Sequence, residues 1–132
     1  MGNCTSKRYK LEETYKNIKP YVPQITEGIV VNVYDGNTIT IISKLHYKES
    51  ELSYDESEYY RFSVRLFGID IAENETAKKA LSVKILNHNV TLRDVTIDKY
   101  GRILANVYLD NECINDWMLN NGYAIAWKKP TR

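Results

Sequence analysis

The sequence predicts an α+β domain that is built mainly of β-strands. Short runs of β-branched and aromatic residues alternate with turn residues through most of the 132 residues, as in a small antiparallel sheet. Two segments instead place apolar residues three and four positions apart, which is typical of helices with one buried face. Along the chain we expect three strands, a helix, two strands and a short second helix. A helix after the third of five short strands is typical of a five-stranded OB-fold barrel.

The predicted domain spans residues 27–132 and begins with a hairpin. A β-branched run at 29–33 is followed by the turn signal Asp35-Gly36-Asn37, after which a second run continues at 38–42. Residues 44–58 then carry five acidic side chains without a clear period, so we expect a solvated surface loop there.

Alternation defines the third strand, which we expect from Tyr59 to Phe67. The even-numbered residues from Tyr60 to Leu66 are apolar and should face the core, whereas Arg65 should project from the other face. The remaining predicted elements are a helix at 75–87 with Asn74 as its N-cap, strands at 90–97 and 102–109 joined by the turn 98–101, and a helix at 114–121.

The net charge of +1 is too small for a protein that binds nucleic acid through a broad basic surface. The charge is also unevenly distributed, because Lys7, Arg8 and Lys10 account for +3 and leave −2 for residues 11–132. We therefore expect any polyanionic substrate to be held locally by a few side chains. Cys4 and Cys113 are far apart in the sequence, so no disulfide is expected.

Residues 1–26 are interpreted as a tail and connector that carries a lipid anchor. The opening Met-Gly-Asn-Cys-Thr-Ser matches the myristoylation pattern, with Gly2 as the acceptor. One myristoyl chain binds membranes only marginally, but Cys4 could be palmitoylated and the adjacent basic cluster could bind anionic lipid. A frayed polar tail that happens to begin with Met-Gly is the alternative. The anchor interpretation places the protein at the cytoplasmic face of a membrane in a eukaryotic cell, or makes it a virus-encoded protein in such a cell.

Charged side chains are concentrated at the predicted strand ends and turns. Arg65 and Arg102 are suited to bidentate contact with phosphate. Asp35 and Asp70 offer the hard oxygen ligands that Ca²⁺ takes, and Glu73 is a candidate general base for activating water. Together these groups could hydrolyse a phosphodiester. Each also has a structural explanation, such as turn formation, helix-end charge or a hairpin ion pair, and spacing alone does not separate the two.

These charged residues lie in three segments, Asp35–Thr38, Arg65–Glu73 and Asp98–Arg102. In sequence, order and separation the three resemble the signature segments of the staphylococcal nuclease family. The stretch 114–124 resembles a later helix of that family. The resemblance covers about residues 27–127, and its second and third segments are specific.

The resemblance implies an OB-fold, Ca²⁺-dependent nuclease that cleaves DNA and RNA, favours unpaired strands and leaves 3′-phosphate ends. By position in those segments, Arg65 and Arg102 would bind the phosphate, and Glu73 would be the general base. Lys99 and Tyr100 would contact the nucleotide. The implied Ca²⁺ site comprises Asp70, the Ile71 backbone carbonyl and Asn37, with Asp35 beside the ion or its waters.

Three departures from the family pattern affect these expectations. Asn37 stands where the family has an aspartate that ligates Ca²⁺, which removes a negative charge and should weaken metal binding. Ala72 stands where proline is usual, which loosens the turn that holds Glu73. The family also continues into a further C-terminal helix, so stability is expected to depend on the N-terminal segment, a partner or self-association. Asn37 leaves a second function open, namely a catalytically weakened OB domain that binds nucleic acid or protein.

Overall fold

The computed structural model describes residues 17–18, 21–44 and 59–127. The predicted lipidation sites Gly2 and Cys4 lie outside these ranges, as does nearly all of the acidic segment predicted to be a loop. Within the described part of the chain, neither helix has the length and apolar character needed to cross a membrane. The division of the chain at residue 26 remains a prediction.

Eight strands and two helices make up the described elements. In chain order they are β1 (Glu27–Asp35), β2 (Thr38–Ser43), β3 (Tyr60–Leu66), β4 (Ile69–Ile71), α1 (Asn74–Ile85), β5 (Asn89–Ile97), β6 (Ile103–Leu109), β7 (Glu112–Cys113), α2 (Ile114–Asn120) and β8 (Ala124–Ala126). The five predicted strands and the two predicted helices are present, with ends within about two residues of the predicted ones.

Five of the strands close into a barrel. β1, β2 and β3 form an antiparallel meander, and β5 and β6 form an antiparallel hairpin. β5 pairs with β1, and β3 pairs in parallel with β6, which closes the sheet on itself. Register shifts in β1 and β5 mark irregularities of the kind that bend a sheet. The predicted five-stranded OB-fold barrel is therefore confirmed.

The core lies inside the barrel and beneath α1. Alternate residues of the barrel strands point inward, and Val30, Ile39 and Val64 have no exposed surface. Each such side chain contributes about 1.5–3 kcal/mol relative to an exposed one. Tyr60, which we predict to face the core, is 42% exposed because it begins β3. α1 packs against β1 through three fully buried residues of its predicted apolar face, Ala77, Leu81 and Ile85.

A small second sheet is not predicted by the alternation pattern. β4 and β8 contain three residues each and pair antiparallel, with Ile69 opposite Ala126 and Ile71 opposite Ala124. The stretch after Gly68 is therefore a strand that is not among the five predicted ones. Its pairing with β8, and not its own short pattern, holds it extended.

The start of α1 differs from the prediction at its cap. Glu73 has the extended backbone of an N-cap residue, and Asn74, the predicted cap, is the first helical residue. The Asn74 side chain instead accepts a hydrogen bond from the backbone N–H of Gly36 at 3.1 Å. This long-range contact replaces the local cap and ties the β1–β2 turn to the helix.

Candidate active site

A cleft of about 610 Å³ opens beside the parallel pair of barrel strands, β3 and β6. Its walls come from the end of β3, the loop into β4, the β5–β6 turn, β6 and the residue after β8. The lining residues are Arg65, Phe67, Gly68, Ile69, Asp98, Lys99, Tyr100, Arg102, Leu104 and Trp127. All four side chains predicted to contact phosphate or nucleotide therefore share one cleft.

β3 places Arg65 in the cleft wall, opposite Thr38 of β2 and Leu104 of β6. Its Nη2 donates a hydrogen bond to Oδ1 of Asp70 at 3.2 Å. Both side chains are partly exposed, so this ion pair contributes at most about 1 kcal/mol of stability. Its main effect is geometric, because it holds the guanidinium toward β4.

The β5–β6 turn positions Arg102 through a single carboxylate. Oδ1 of Asp98 accepts hydrogen bonds from the backbone N–H groups of Tyr100 and Arg102, each at 2.9 Å. Oδ2 of Asp98 accepts from Nε of Arg102 at 2.7 Å, which leaves both Nη nitrogens outside this contact. Gly101 has a φ of 83°, a left-handed conformation that glycine adopts without steric cost. The hairpin ion pair offered as a structural explanation for these residues is present, and it lies in the cleft.

Tyr100 presents its ring at the cleft and is 71% exposed. The guanidinium of Arg102 lies 5.4 Å from the ring centroid, and Nζ of Lys99 lies 5.2 Å from it. An aromatic ring with two cations beside it is the kind of surface on which nucleotide bases stack.

The pKa of Asp98 lies below its ordinary value of 3.8. Partial burial raises this pKa, but the hydrogen bonds from Arg102 and Tyr100, together with the charge of Arg102, outweigh that effect. The carboxylate of Asp98 is therefore ionised at every pH above its ordinary pKa and remains available to Arg102.

The predicted metal ligands lie around the β1–β2 turn and β4. Nδ2 of Asn37 donates to the Ile69 carbonyl at 3.3 Å, and its Oδ1 accepts from the Thr38 hydroxyl at 3.3 Å. Oδ1 of Asp35 accepts from the Asn37 N–H at 3.0 Å. The contact with Ile69 brings the turn against β4, directly before Asp70. Asn37 is 6% exposed, so its amide is a buried and hydrogen-bonded group.

These groups fit Ca²⁺ by the chemistry of their donor atoms. Asp35, Asp70, the Asn37 amide oxygen and the Ile71 carbonyl all present hard oxygens, which Ca²⁺ binds in flexible geometry. Among the residues that the structure describes, no three Asp, Glu, His or Cys side chains gather closely enough to hold one ion. A cation here would therefore depend on two carboxylates at most and would need neutral oxygens to complete its ligand shell.

Glu73 lies outside the cleft wall. It is exposed at the N-cap of α1, and its Oε2 accepts a hydrogen bond from the Thr76 hydroxyl at 3.0 Å. It lies three positions after Asp70, beyond the end of β4. The structure thus brings Arg65 and Arg102 together in the cleft lining. Glu73, the predicted base, is not part of that lining.

The residue that holds the cleft loop is Asn115, which lies in the stretch 114–124 but is not among the predicted site residues. Asn115, 3% exposed in α2, donates from Nδ2 to the Phe67 carbonyl and accepts at Oδ1 from the Val107 N–H, each at 2.9 Å. On the other side, the Trp127 N–H donates to the Gly68 carbonyl at 2.8 Å. The loop that joins β3 to β4 is therefore fixed from two sides. A polar residue beside the apolar face of a predicted helix is the signal that could have found Asn115.

Comparison with known proteins agrees with the resemblance of the segments Arg65–Glu73 and Asp98–Arg102, which lie within the matched residues. The family described as staphylococcal nuclease homologue matches residues 63–132. A Haemophilus influenzae protein described as an uncharacterized endonuclease is 33% identical over 105 residues, which cover 76% of this chain and 52% of the relative. The chain thus spans about half the length of this curated relative. Because the family match covers more than half of the sequence and includes the cleft residues from Arg65 to Trp127, the chain belongs to the staphylococcal nuclease homologue family.

Proposed function

We propose that this chain is a calcium-dependent nuclease that hydrolyses phosphodiester bonds of DNA and RNA and leaves 3′-phosphate ends. The observation that carries the proposal is the cleft that Arg65 and Arg102 share, beside the exposed ring of Tyr100. Family membership supports nucleic acid as the substrate class. The description of the H. influenzae relative as an endonuclease supports the same class of reaction.

The two arginines act on the scissile phosphate. Each guanidinium offers paired N–H donors, which stabilise the negative charge that develops on the phosphate oxygens during attack. Asp70 holds Arg65 before substrate binds. Asp98 holds Arg102 in the same way, so the two guanidinium groups need little reorganisation when the phosphate arrives. Lys99 and Tyr100 contact the adjoining nucleotide.

Glu73 is the general base in this proposal. The water oxygen bonds to phosphorus, the carboxylate of Glu73 takes the proton, and the bond from phosphorus to the 5′-oxygen breaks, with that oxygen taking a proton from solvent to become the 5′-hydroxyl. The phosphate then remains on the 3′-oxygen. In the free protein the Thr76 hydroxyl holds this carboxylate, and catalytic hydrogen bonds often tighten only when substrate is bound.

The residues that would hold Ca²⁺ are Asp70, Asn37, Asp35 and the Ile71 carbonyl. When bound, the ion would supply positive charge to the phosphate and lower the pKa of water. Asp70 would serve both the cation and Arg65, because its Oδ1 also accepts the hydrogen bond from Arg65. The cation site and the phosphate-binding arginine are thereby coupled through one carboxylate.

Digestion of single-stranded DNA and RNA by the purified full chain tests this proposal. We expect cleavage in Ca²⁺ but not in chelator, with 3′-phosphate ends and with loss of activity in Glu73→Gln. Lys79→Gln, an exposed position on α1, serves as the control. Cleavage that persists in chelator, or that survives in Glu73→Gln, contradicts the mechanism.

A second candidate function is an OB domain with weakened catalysis that binds nucleic acid or protein. Asn37 favours it, because Ile69 and Thr38 already satisfy its buried amide and no ion is needed to hold the turn. Absence of cleavage in millimolar Ca²⁺, with recovery in Asn37→Asp, would favour this function over the first.

We also propose that the N-terminus tethers the protein to the cytoplasmic face of a membrane in a eukaryotic cell, the protein itself being cellular or virus-encoded. Gly2 in its myristoylation-type context, Cys4 and the nearby basic residues support this. Gly2→Ala is expected to release the protein from the membrane fraction, and an unchanged distribution would rule the tether out.

Sedimentation of the full chain tests the expected self-association.

A further inference from the structure

We propose that Asp94 and Asn106 are positioning residues that act on the cleft loop between β3 and β4 through Asn115. The three side chains form a chain of hydrogen bonds, the amide relay, which runs from the surface of β5 to the Phe67 carbonyl. The inference rests on the proposed function and adds to it two residues that lie outside the cleft lining.

A bulge in β5 directs Asp94 at its partner. The pairing of β5 with β6 shifts register between Arg93 and Thr96, and Arg93 and Asp94 are both exposed, although consecutive residues of a regular strand point to opposite faces. Asp94 has a φ of 55°, a left-handed conformation that is unfavourable for a residue with a Cβ atom. Its Oδ2 accepts a hydrogen bond from Nδ2 of Asn106 at 3.0 Å. The strained backbone therefore serves one specific side-chain contact.

The carboxylate of Asp94 sets the orientation of the Asn106 amide. A carboxylate only accepts hydrogen bonds, so Asn106 must turn its NH₂ group toward Asp94 and its oxygen away from it. That oxygen accepts a hydrogen bond from Nδ2 of Asn115 at 3.3 Å. The exposed charge on β5 thus determines which end of Asn106 meets Asn115.

Asn115 passes this orientation to the cleft loop. Its Nδ2, which Asn106 engages, also donates to the Phe67 carbonyl at 2.9 Å. Its Oδ1 accepts from the Val107 N–H at 2.9 Å. The relay and the backbone of β6 therefore favour the same orientation of the Asn115 amide, the one that holds the loop.

The position of the cleft loop controls the geometry of the phosphate site. Phe67 and Gly68 make up this loop, and both line the cleft. Arg65 precedes the loop and Asp70 follows it, so the loop determines how Nη2 of Arg65 meets Oδ1 of Asp70. Misplacing a catalytic group by about 1 Å can cost roughly 100-fold in rate. By restraining the Phe67 carbonyl, the relay holds the phosphate-binding arginine in place.

Amide hydrogen exchange of the full chain, measured by NMR without metal or substrate, tests the relay independently of activity. The reporters are the N–H groups of Phe67 and Trp127, which donate to backbone carbonyls in and beside the loop at 2.9 and 2.8 Å. Asp94→Gly is expected to raise both exchange rates several-fold, because it removes the acceptor for Asn106. It should not lower the urea midpoint of unfolding, because glycine adopts a positive φ without steric cost. A general loss of stability would raise the rates only together with a lower midpoint.

Two control substitutions separate the hydrogen bond from the charge and the backbone. Asp110→Gly, in the turn between β6 and β7, removes the same charge at a similar φ of 51° and should leave both exchange rates unchanged. Asp94→Asn removes the charge but keeps an acceptor oxygen, so it should stay close to wild type. Equal exchange rates in Asp94→Gly and Asp110→Gly, or equal effects of Asp94→Gly and Asp94→Asn, would overturn the relay.

Asn106→Ala interrupts the relay at its middle. It is expected to raise the same two exchange rates, and combining it with Asp94→Gly should add little, because both substitutions break one chain of contacts. Fully additive effects, or no effect of Asn106→Ala, would contradict a relay.

Steady-state cleavage of single-stranded DNA in Ca²⁺ connects the relay to catalysis. Asp94→Gly is expected to lower kcat several-fold with a smaller change in KM, whereas Asp110→Gly should retain the wild-type values. A wild-type kcat in Asp94→Gly would overturn the positioning role. A wild-type chain that does not cleave would overturn the proposed function, and the exchange rates would still decide whether the relay holds the loop.

Discussion

At the scale of single residues, the cleft is built from arginines that are each held by an aspartate. Arg65 and Asp70 are five residues apart across a loop, and Asp98 and Arg102 are four apart across a turn. The turn predicted at 98–101 keeps Asp98 close to Arg102, so their ion pair can be predicted from the sequence. The pairing of Arg65 with Asp70 is not predicted, because five residues of extended chain could hold the two roughly 17 Å apart. The contact of Asn37 with the Ile69 carbonyl spans 32 residues and depends on the closed barrel, so the sequence does not reveal it.

Asn37→Asp tests whether the β1–β2 turn is a cation site. The substitution removes the donor to the Ile69 carbonyl and sets a buried carboxylate against it. In chelator we expect the free energy of unfolding to fall by about 1–3 kcal/mol. Added Ca²⁺ should restore it, because the ion gains a carboxylate ligand. Urea unfolding with and without Ca²⁺ measures both effects, and a variant that does not respond to Ca²⁺ would contradict a cation site at this turn.

The lowered pKa of Asp98 predicts a stability contribution that is lost in acid. Because the folded pKa lies below the ordinary 3.8, the contribution is complete above that pH and disappears as the pH falls through the folded pKa. Asp98→Asn should therefore be less stable than wild type at neutral pH, and the difference should vanish in strong acid. Thermal unfolding across this range measures the difference, and one that stays constant into strong acid would show that the ionised carboxylate is not its source.

At the scale of elements, the β1–β2 turn shows why a correct prediction can rest on an incomplete reason. Asp35-Gly36-Asn37 predicts a turn, and the structure has one. A Cβ atom on Gly36, however, would lie 2.6 Å from Cβ of Ala77 and 3.1 Å from Cγ2 of Ile71. Glycine is therefore required here by the close approach of α1 and β4, which no local pattern contains. The same packing explains why Asn74 bonds to this turn and does not cap its own helix.

Asn115→Leu tests the link between α2 and the cleft loop. The substitution leaves the Val107 N–H without its acceptor and the Phe67 carbonyl without its donor. We expect a loss of about 2–4 kcal/mol in the free energy of unfolding. Asn115→Asp keeps the acceptor for Val107 but sets a buried carboxylate against the Phe67 carbonyl, so it should be destabilised as well. Urea unfolding of both variants provides the measurement, and a change below about 1 kcal/mol in Asn115→Leu would show that the loop is held by other contacts.

At the scale of the whole molecule, the order and number of strands were enough to predict the closed barrel. Five short strands have few ways to close, so the order of the elements carries much of the topology. The β4–β8 sheet was not predictable in this way, because three-residue strands have almost no pattern and exist only through their pairing. The near-neutral charge agrees with the proposal that a few residues of one cleft hold the substrate.

The proposal that two arginines act on one phosphate is tested by the initial rate of single-stranded DNA cleavage in Ca²⁺. Arg65→Gln and Arg102→Gln are each expected to lose about 100- to 1,000-fold in rate while remaining folded by circular dichroism. Lys79→Gln should retain the wild-type rate. Arginine variants that cleave within about tenfold of wild type, or a wild-type chain that does not cleave in Ca²⁺, would contradict the proposal.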